Sequence, residues 1–253
     1  MAFWRRRSVD PLPEDWEELV ARRVPAWWDL PVEVRTDVRD VAEHLLATKR
    51  WEAAAGFDLT VEARVVIAAQ AALPVIGLGA LERSYPNVRS IIVHADAIPA
   101  GERKGPVEGT YVDDEDWSSG EAGHDDEPIV LAWSDVVWDL RHPRAGQNVV
   151  VHEFAHKLDM LDGTVDGMPP LASPEDRDRW IEVCTREYDA IDEQGDDHLL
   201  GDYAGEDPGE FFSVASEVFF TRPQAMASEL PDLYDLLARY FRQDPAAWVA
   251  TEI

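Results

Sequence analysis

The chain has 253 residues, 45% hydrophobic and 29% charged, which is the make-up of an ordinary globular protein long enough to bury a full core. Its formal net charge of -28, from 51 Asp and Glu against 23 Lys and Arg, argues against direct nucleic-acid binding, because phosphate contacts need clustered Lys and Arg. Cys184 is the only cysteine, which excludes an intrachain disulfide and a Cys-rich zinc module and fits a reducing cytoplasm.

Arg5-Arg6-Arg7 looks like the start of an export signal, but Ser8-Val9-Asp10-Pro11 and the acidic residues beyond it supply no apolar stretch, so a cytoplasmic protein is expected. Residues 1–12 read as a flexible terminus. Apolar residues at three- and four-residue spacing predict helices from Pro13 to Arg23, Val32 to Lys49 and Val61 to Leu73, the last capped by Thr60. The longest apolar run, Val65 to Leu78, is interrupted by Gln70, Pro74 and Gly77 and is too short to span a bilayer. Short β-branched or alternating segments at Ser90 to His94, Gly109 to Val112 and Pro128 to Trp133 predict a small mixed or antiparallel sheet. The acidic stretch from Asp113 to Glu127 reads as a mobile loop.

Helices resume after the last strand. One is predicted from Gln147 to Leu161. Ser173 followed by Pro174 opens another toward Glu193, Asp207-Pro208-Gly209-Glu210 opens a third through Phe220, and a last one runs from about Pro231 to Arg242. There is no internal repeat and no linker rich in Gly, Ser or Pro. The expectation is one α+β domain, mainly helical, over residues 1–253.

The chemistry is concentrated at Val149-Val150-Val151-His152-Glu153-Phe154-Ala155-His156. Residues four apart share a helix face, so His152 and His156 can direct ring nitrogens at one ion, as a tetrahedral zinc site requires. Glu153, the next residue along, reaches a water on that ion and can serve as general base; this is the HExxH pattern. The metal lowers the water pKa to near 7 and polarises a carbonyl, which makes amide hydrolysis feasible without a protein nucleophile. Four acids compete for the third ligand position: Asp162, Asp166, Glu210 and Glu217. Glu210 and Glu217 lie seven apart on one face of a strongly apolar helix, where a carboxylate needs a partner. Glu210 also completes a capping box with Asp207, which is a competing reason for its presence.

The stretch His152 to Met160, followed by Asp202-Tyr203-Ala204 and by Asp207-Pro208-Gly209-Glu210-Phe211-Phe212-Ser213-Val214-Ala215-Ser216-Glu217-Val218-Phe219-Phe220, resembles the Mlc titration factor A family of bacterial zinc peptidases. Weaker similarity extends to Ala71-Ala72-Leu73-Pro74-Val75 and Pro128 to Ser134. The resemblance implies a single zincin-like metallopeptidase domain related in fold to the catalytic domain of anthrax lethal factor. It implies one Zn2+ held by His152, His156 and Glu210, with Glu153 catalytic and Tyr203 the oxyanion donor. It further implies aminopeptidase-like activity on a peptide substrate and a transcriptional repressor, Mlc, as partner. The alternative function is a binding protein that sequesters such a repressor, with a structural or weakly active zinc site. The family often has Ala-Glu-Cys-Phe-Ala where this chain has Gly209-Glu210-Phe211-Phe212-Ser213, a change beside the ligand and not at it.

Overall fold

A computed structural model of the chain describes residues 12–24, 26–54, 56–79, 81–96 and 128–248. The expected strand from Gly109 to Val112, the acidic loop from Asp113 to Glu127 and the N-terminal residues 1–11 lie outside this set.

The N-terminal helices form where the apolar spacing places them: α1 spans Trp16–Ala21, α2 Val32–Thr48 and α3 Val61–Ala72. The Thr60 hydroxyl accepts the Ala63 N–H at 3.1 Å and caps α3, which is buried along nearly its whole length. Helix α2 packs on one flank of α3, and α1 and the metal-site helix described below also contact α3.

Among the described residues the sheet has three strands, β1 (Arg50–Ala53), β2 (Ser90–His94) and β3 (Ile129–Ala132), in the order β1-β2-β3. Both pairings are parallel, with Trp51 opposite Ile91 and Ile92 opposite Val130. This corrects the expectation of a mixed or antiparallel sheet. The α3 helix lies in the connection from β1 to β2, and parallel neighbours need such a crossover, whereas a hairpin would have made them antiparallel. The edge strand β1 escapes the sequence pattern because its residues are exposed or half-buried and do not alternate. The predicted third strand ends at Ala132, and Trp133–Arg141 forms helix α4, with Val136 and Leu140 buried one turn apart.

The C-terminal half is helical: α5 (Val149–Asp159), α6 (Pro174–Gln194), α7 (Pro208–Thr221), α8 (Pro223–Glu229) and α9 (Pro231–Phe241). Ser173 and Asp207 cap α6 and α7 through the N–H groups of Asp176 and Glu210, and Pro174 and Pro208 occupy first helical positions, where a missing N–H costs nothing. No helix among the described residues is long and apolar enough to cross a membrane.

One cluster of buried apolar side chains runs from Trp16 to Phe241 and includes all of these layers. Phe154 of α5 packs edge-on to Tyr85 at 4.6 Å, and Phe219 of α7 stacks on Phe241 of α9 at 5.5 Å. Burying a side chain such as Phe154 contributes about 2 kcal/mol. These contacts fix the backs of α5 and α7, the two helices that carry the polar site between them.

Candidate metal centre

Helix α5 is buried from Val150 to Asp159, polar residues included, so every charge on it must be met inside the protein. Its first turn is fastened by three bonds. Asn148 caps it by accepting the Val151 N–H at 3.1 Å, and the Asp139 carboxylate of α4 accepts the Val149 N–H at 2.7 Å. The Asn148 amide then donates to Gln70 of α3 at 2.7 Å. His152 and His156, one turn apart on this anchored helix, meet edge to face with ring centroids 4.8 Å apart.

Helix α7 lies against α5. Asp207 caps α7, but the Glu210 side chain does not complete a capping box. It turns toward α5, is 1% exposed, and neither of its oxygens has a hydrogen-bond partner among the described residues. One oxygen lies 3.1 Å from His152 Nε2 and the other 3.5 Å from His156 Nε2, while the two Nε2 atoms are 3.1 Å apart. Ligands on a tetrahedral zinc stand about 3.3 Å from one another, given metal–ligand bonds near 2.0–2.1 Å. One ligand atom from each of the three residues lies within 4.8 Å of the others, close enough for a single ion to be shared among them.

The fourth residue of the arrangement is Glu217, two turns beyond Glu210. Its Oε1 lies 2.7 Å from His152 Nδ1 and its Oε2 accepts the Asn148 N–H at 2.5 Å. With Nδ1 donating to Glu217, the Nε2 lone pair of His152 is left pointing at Glu210 and His156, the tautomer a metal ligand needs. Gln70, Asn148, Glu217 and His152 thus form one hydrogen-bonded line across three helices. His156 has no such support: its Nδ1 is buried with no hydrogen-bond partner among the described residues.

The electrostatics ask for a cation. Burial disfavours charge on His152, yet Glu217, Glu210 and Glu153 outweigh it and raise the imidazole pKa well above its ordinary value. Burial likewise opposes ionisation of Glu210, but the two imidazoles prevail and hold its carboxyl down at about 2. A carboxylate buried without hydrogen bonds, facing two ring nitrogens, is costly unless a positive ion sits between them. These residues fit a divalent metal with nitrogen and oxygen ligands.

Glu153 follows His152 on α5 and is 4% exposed; burial raises its carboxyl pKa, and Glu210 adds to the rise. Tyr203 sits on a short 3-10 turn, Asp202–Gly205, packed against α6 and α7. The Tyr188 hydroxyl of α6 holds that turn by donating to the Gly205 carbonyl at 2.7 Å. The half-buried Tyr203 ring lies over His152, with centroids 6.1 Å apart and planes inclined by 30°.

The remaining sequence candidates go elsewhere. Asp162 and Asp166 are exposed and bond only to their own loop, at Thr164 and Met168. His142 stacks on Trp138, and His198 is buried beside Glu187. His124 lies outside the described residues. Glu217, which the sequence offered as one of four candidates for the third ligand, lies instead on the Nδ1 side of His152, and Asn148 and Asp139 are supporting residues the sequence did not assign. Asp159, fully buried at the end of α5, accepts the Gly167 N–H at 2.9 Å.

A family model described as glucose-regulated metallo-peptidase M90 matches residues 1–242. The chain belongs to this family. It is similar to an uncharacterized protein of Synechocystis sp., 33% identical over 248 residues, covering 96% of this chain and 89% of the relative. Relatives named Mlc titration factor A are similar too, in Yersinia enterocolitica at 31% identity over 258 residues and in Serratia proteamaculans at 30% over 268. They cover 98% of this chain and 93% and 95% of their own lengths. The resemblance carried by the His152 to Met160 and Asp202 to Phe220 stretches is borne out: the M90 assignment marks the chain as metallopeptidase-like, and His152, His156 and Glu210 form a buried cluster of the kind that holds a metal ion.

Proposed function

We propose that this chain is a zinc-dependent, aminopeptidase-like peptidase acting in the cytoplasm on short or unfolded peptides. In this reading His152, His156 and Glu210 hold one Zn2+, Glu153 is the general base and Tyr203 the oxyanion donor. The observation that carries it is the buried triangle of two imidazole nitrogens and one carboxylate without hydrogen bonds, on a helix whose next residue after His152 is a buried glutamate.

Zn2+, when bound, supplies Lewis acidity toward a peptide carbonyl and toward water. The chain's own residues do the rest. Glu153, with its basicity raised by burial, takes the proton from the attacking water and delivers it to the leaving amine. Glu217 keeps His152 in the ligating tautomer. Tyr203, whose phenol offers an O–H donor, donates a hydrogen bond to the oxygen that gains charge as the carbonyl becomes tetrahedral.

Elemental analysis and peptide hydrolysis on the same samples test this. Wild type should carry about one zinc per chain; Glu153→Gln should keep the zinc and lose hydrolysis, and Glu210→Ala should lose both. A wild type without zinc or hydrolysis would overturn the enzyme reading.

The relatives' name, Mlc titration factor A, favours a second reading. In it the chain sequesters an Mlc-type transcriptional repressor and the zinc site is structural or weakly active. Glu153→Gln separates the two, since repressor capture survives that change and peptide hydrolysis does not.

A further inference from the structure

A cavity of about 560 Å3, which His152, His156 and Glu210 do not line, lies between the segment after α3, the start of α6 and one side of α9. Its apolar floor includes Leu158, Trp180 and Tyr240, and its rim carries Arg83, Arg239 and Arg242. In a chain with 51 acidic and 23 basic residues this gathering of arginines runs against the overall charge. A fourth, Arg179, is committed to Glu182 and Asp232, whereas Arg83, Arg239 and Arg242 form no ion pair among the described residues.

The cavity wall is built, not incidental. Gly77 lies so close to the end of α9 that a Cβ there would fall 2.0 Å from the Phe241 carbonyl oxygen, and Gln243 donates to the Leu73 carbonyl at 2.8 Å. This tie holds the residue after α9 in the left-handed conformation, with φ at +55°, and that residue is Arg242. Glycine would occupy the position with the least strain, because a Cβ crowds the backbone in this conformation. Arg242 is exposed, and at this left-handed position it lines the cavity.

We propose that this cavity binds a small organic anion, an apolar or aromatic body bearing a phosphate or a carboxylate. Its volume falls within the range of small-molecule sites, and apolar walls with a few convergent polar groups are what such sites present. Guanidinium forks suit both anions. Charge decides against an acidic protein as occupant: a polyanion meets repulsion from the whole acidic surface, while a compact anion meets chiefly the arginines that line the cavity. Glu175 and Asp176 at the start of α6 also line the cavity; Asp176 is engaged with Ser173, and Glu175 supplies an acceptor for a hydroxyl or amino group of the ligand. The proposal is independent of peptidase activity.

Isothermal titration calorimetry on the full chain with its metal tests it, using phenyl phosphate, benzoate, inorganic phosphate and uncharged benzyl alcohol as probes. The expected result is saturable binding of phenyl phosphate or benzoate, with the tighter of the two naming the anion. Inorganic phosphate and benzyl alcohol should bind at least about tenfold more weakly, each lacking one half of the recognition. Arg239→Gln combined with Arg242→Gln should weaken the preferred probe by about tenfold or more at an unchanged melting temperature. Arg83→Gln, on a separate segment, gives the same reading should the double variant melt early. Binding that is unaltered in these variants, equal binding of benzyl alcohol, or no saturable binding of either organic anion would overturn it.

Discussion

Glu217 holds His152 from behind: its carboxylate lies 2.7 Å from Nδ1, on the side of the ring opposite the Nε2 that faces Glu210. The same carboxylate accepts the Asn148 N–H, so ring orientation is tied to the cap of the helix the ring stands on. Glu217→Gln keeps the shape but offers one neutral oxygen in place of a carboxylate. Metal affinity should fall about 10- to 100-fold, measured by competition with a chromogenic chelator. Equal affinity in the two proteins would mean that α5 alone orients the ring.

Tyr203 lies over His152 without belonging to the ligand triangle. Tyr203→Phe should therefore leave zinc content unchanged while lowering kcat for peptide hydrolysis by about 10²- to 10³-fold, the usual effect of removing one oxyanion donor. A change confined to KM would assign the ring to substrate binding.

Gly167 carries a positive φ of 74°, and a Cβ there would stand 2.1 Å from the Pro208 carbonyl oxygen in the first turn of α7. Its N–H is held by Asp159 at the end of α5, and its carbonyl by the Trp180 indole of α6. Gly167→Ala should cost more than about 1 kcal/mol in thermal or chemical denaturation, since left-handed strain and a backbone clash add. Zinc affinity should weaken as well, because the displaced backbone is the one that aims Glu210.

Asp159 is buried, and burial raises its carboxyl pKa to about 6 although the Gly167 N–H opposes the shift. A carboxyl whose pKa is higher in the folded chain stabilises the fold while protonated. That contribution is complete below the unfolded value, 3.8, and is lost as pH rises through about 6. Asp159→Asn keeps an acceptor for Gly167 and removes the titration. Relative to wild type, the variant should gain about 1–3 kcal/mol between pH 4 and pH 7, followed by denaturant melts across that range. A difference that does not vary with pH would show that Asp159 does not titrate there.

What the sequence disclosed was local. The caps at Thr60, Ser173 and Asp207 could be read because a capping side chain bonds within its own turn. The α5 helix was legible because His152 and His156 sit at helical spacing between apolar residues. Strand direction was hidden, since β1 to β3 are four or five residues long and nothing in such a segment marks its neighbour's direction. Helix α4 was obscured because no turn residue separates it from β3, although Val136 and Leu140 stand at helical spacing. Glu210 and Glu217 are alike in pattern, both on the inner face of α7. Only packing distinguishes them, sending one carboxylate toward each nitrogen of the same imidazole.

The crossing of α5 and α7 joins polar surfaces in the middle of an apolar interior. Around it these helices also pack through apolar side chains, but at His152, His156 and Glu210 like demands for positive charge confront one another. An ion captured there acts as a rivet between segments that lie far apart along the chain, and its binding free energy is added to the cohesion of the whole C-terminal half. Stripping the metal with a chelator should accordingly loosen this seam first, with amide hydrogens around Glu210 in the first turns of α7 exchanging ahead of those around Phe219 and Phe241.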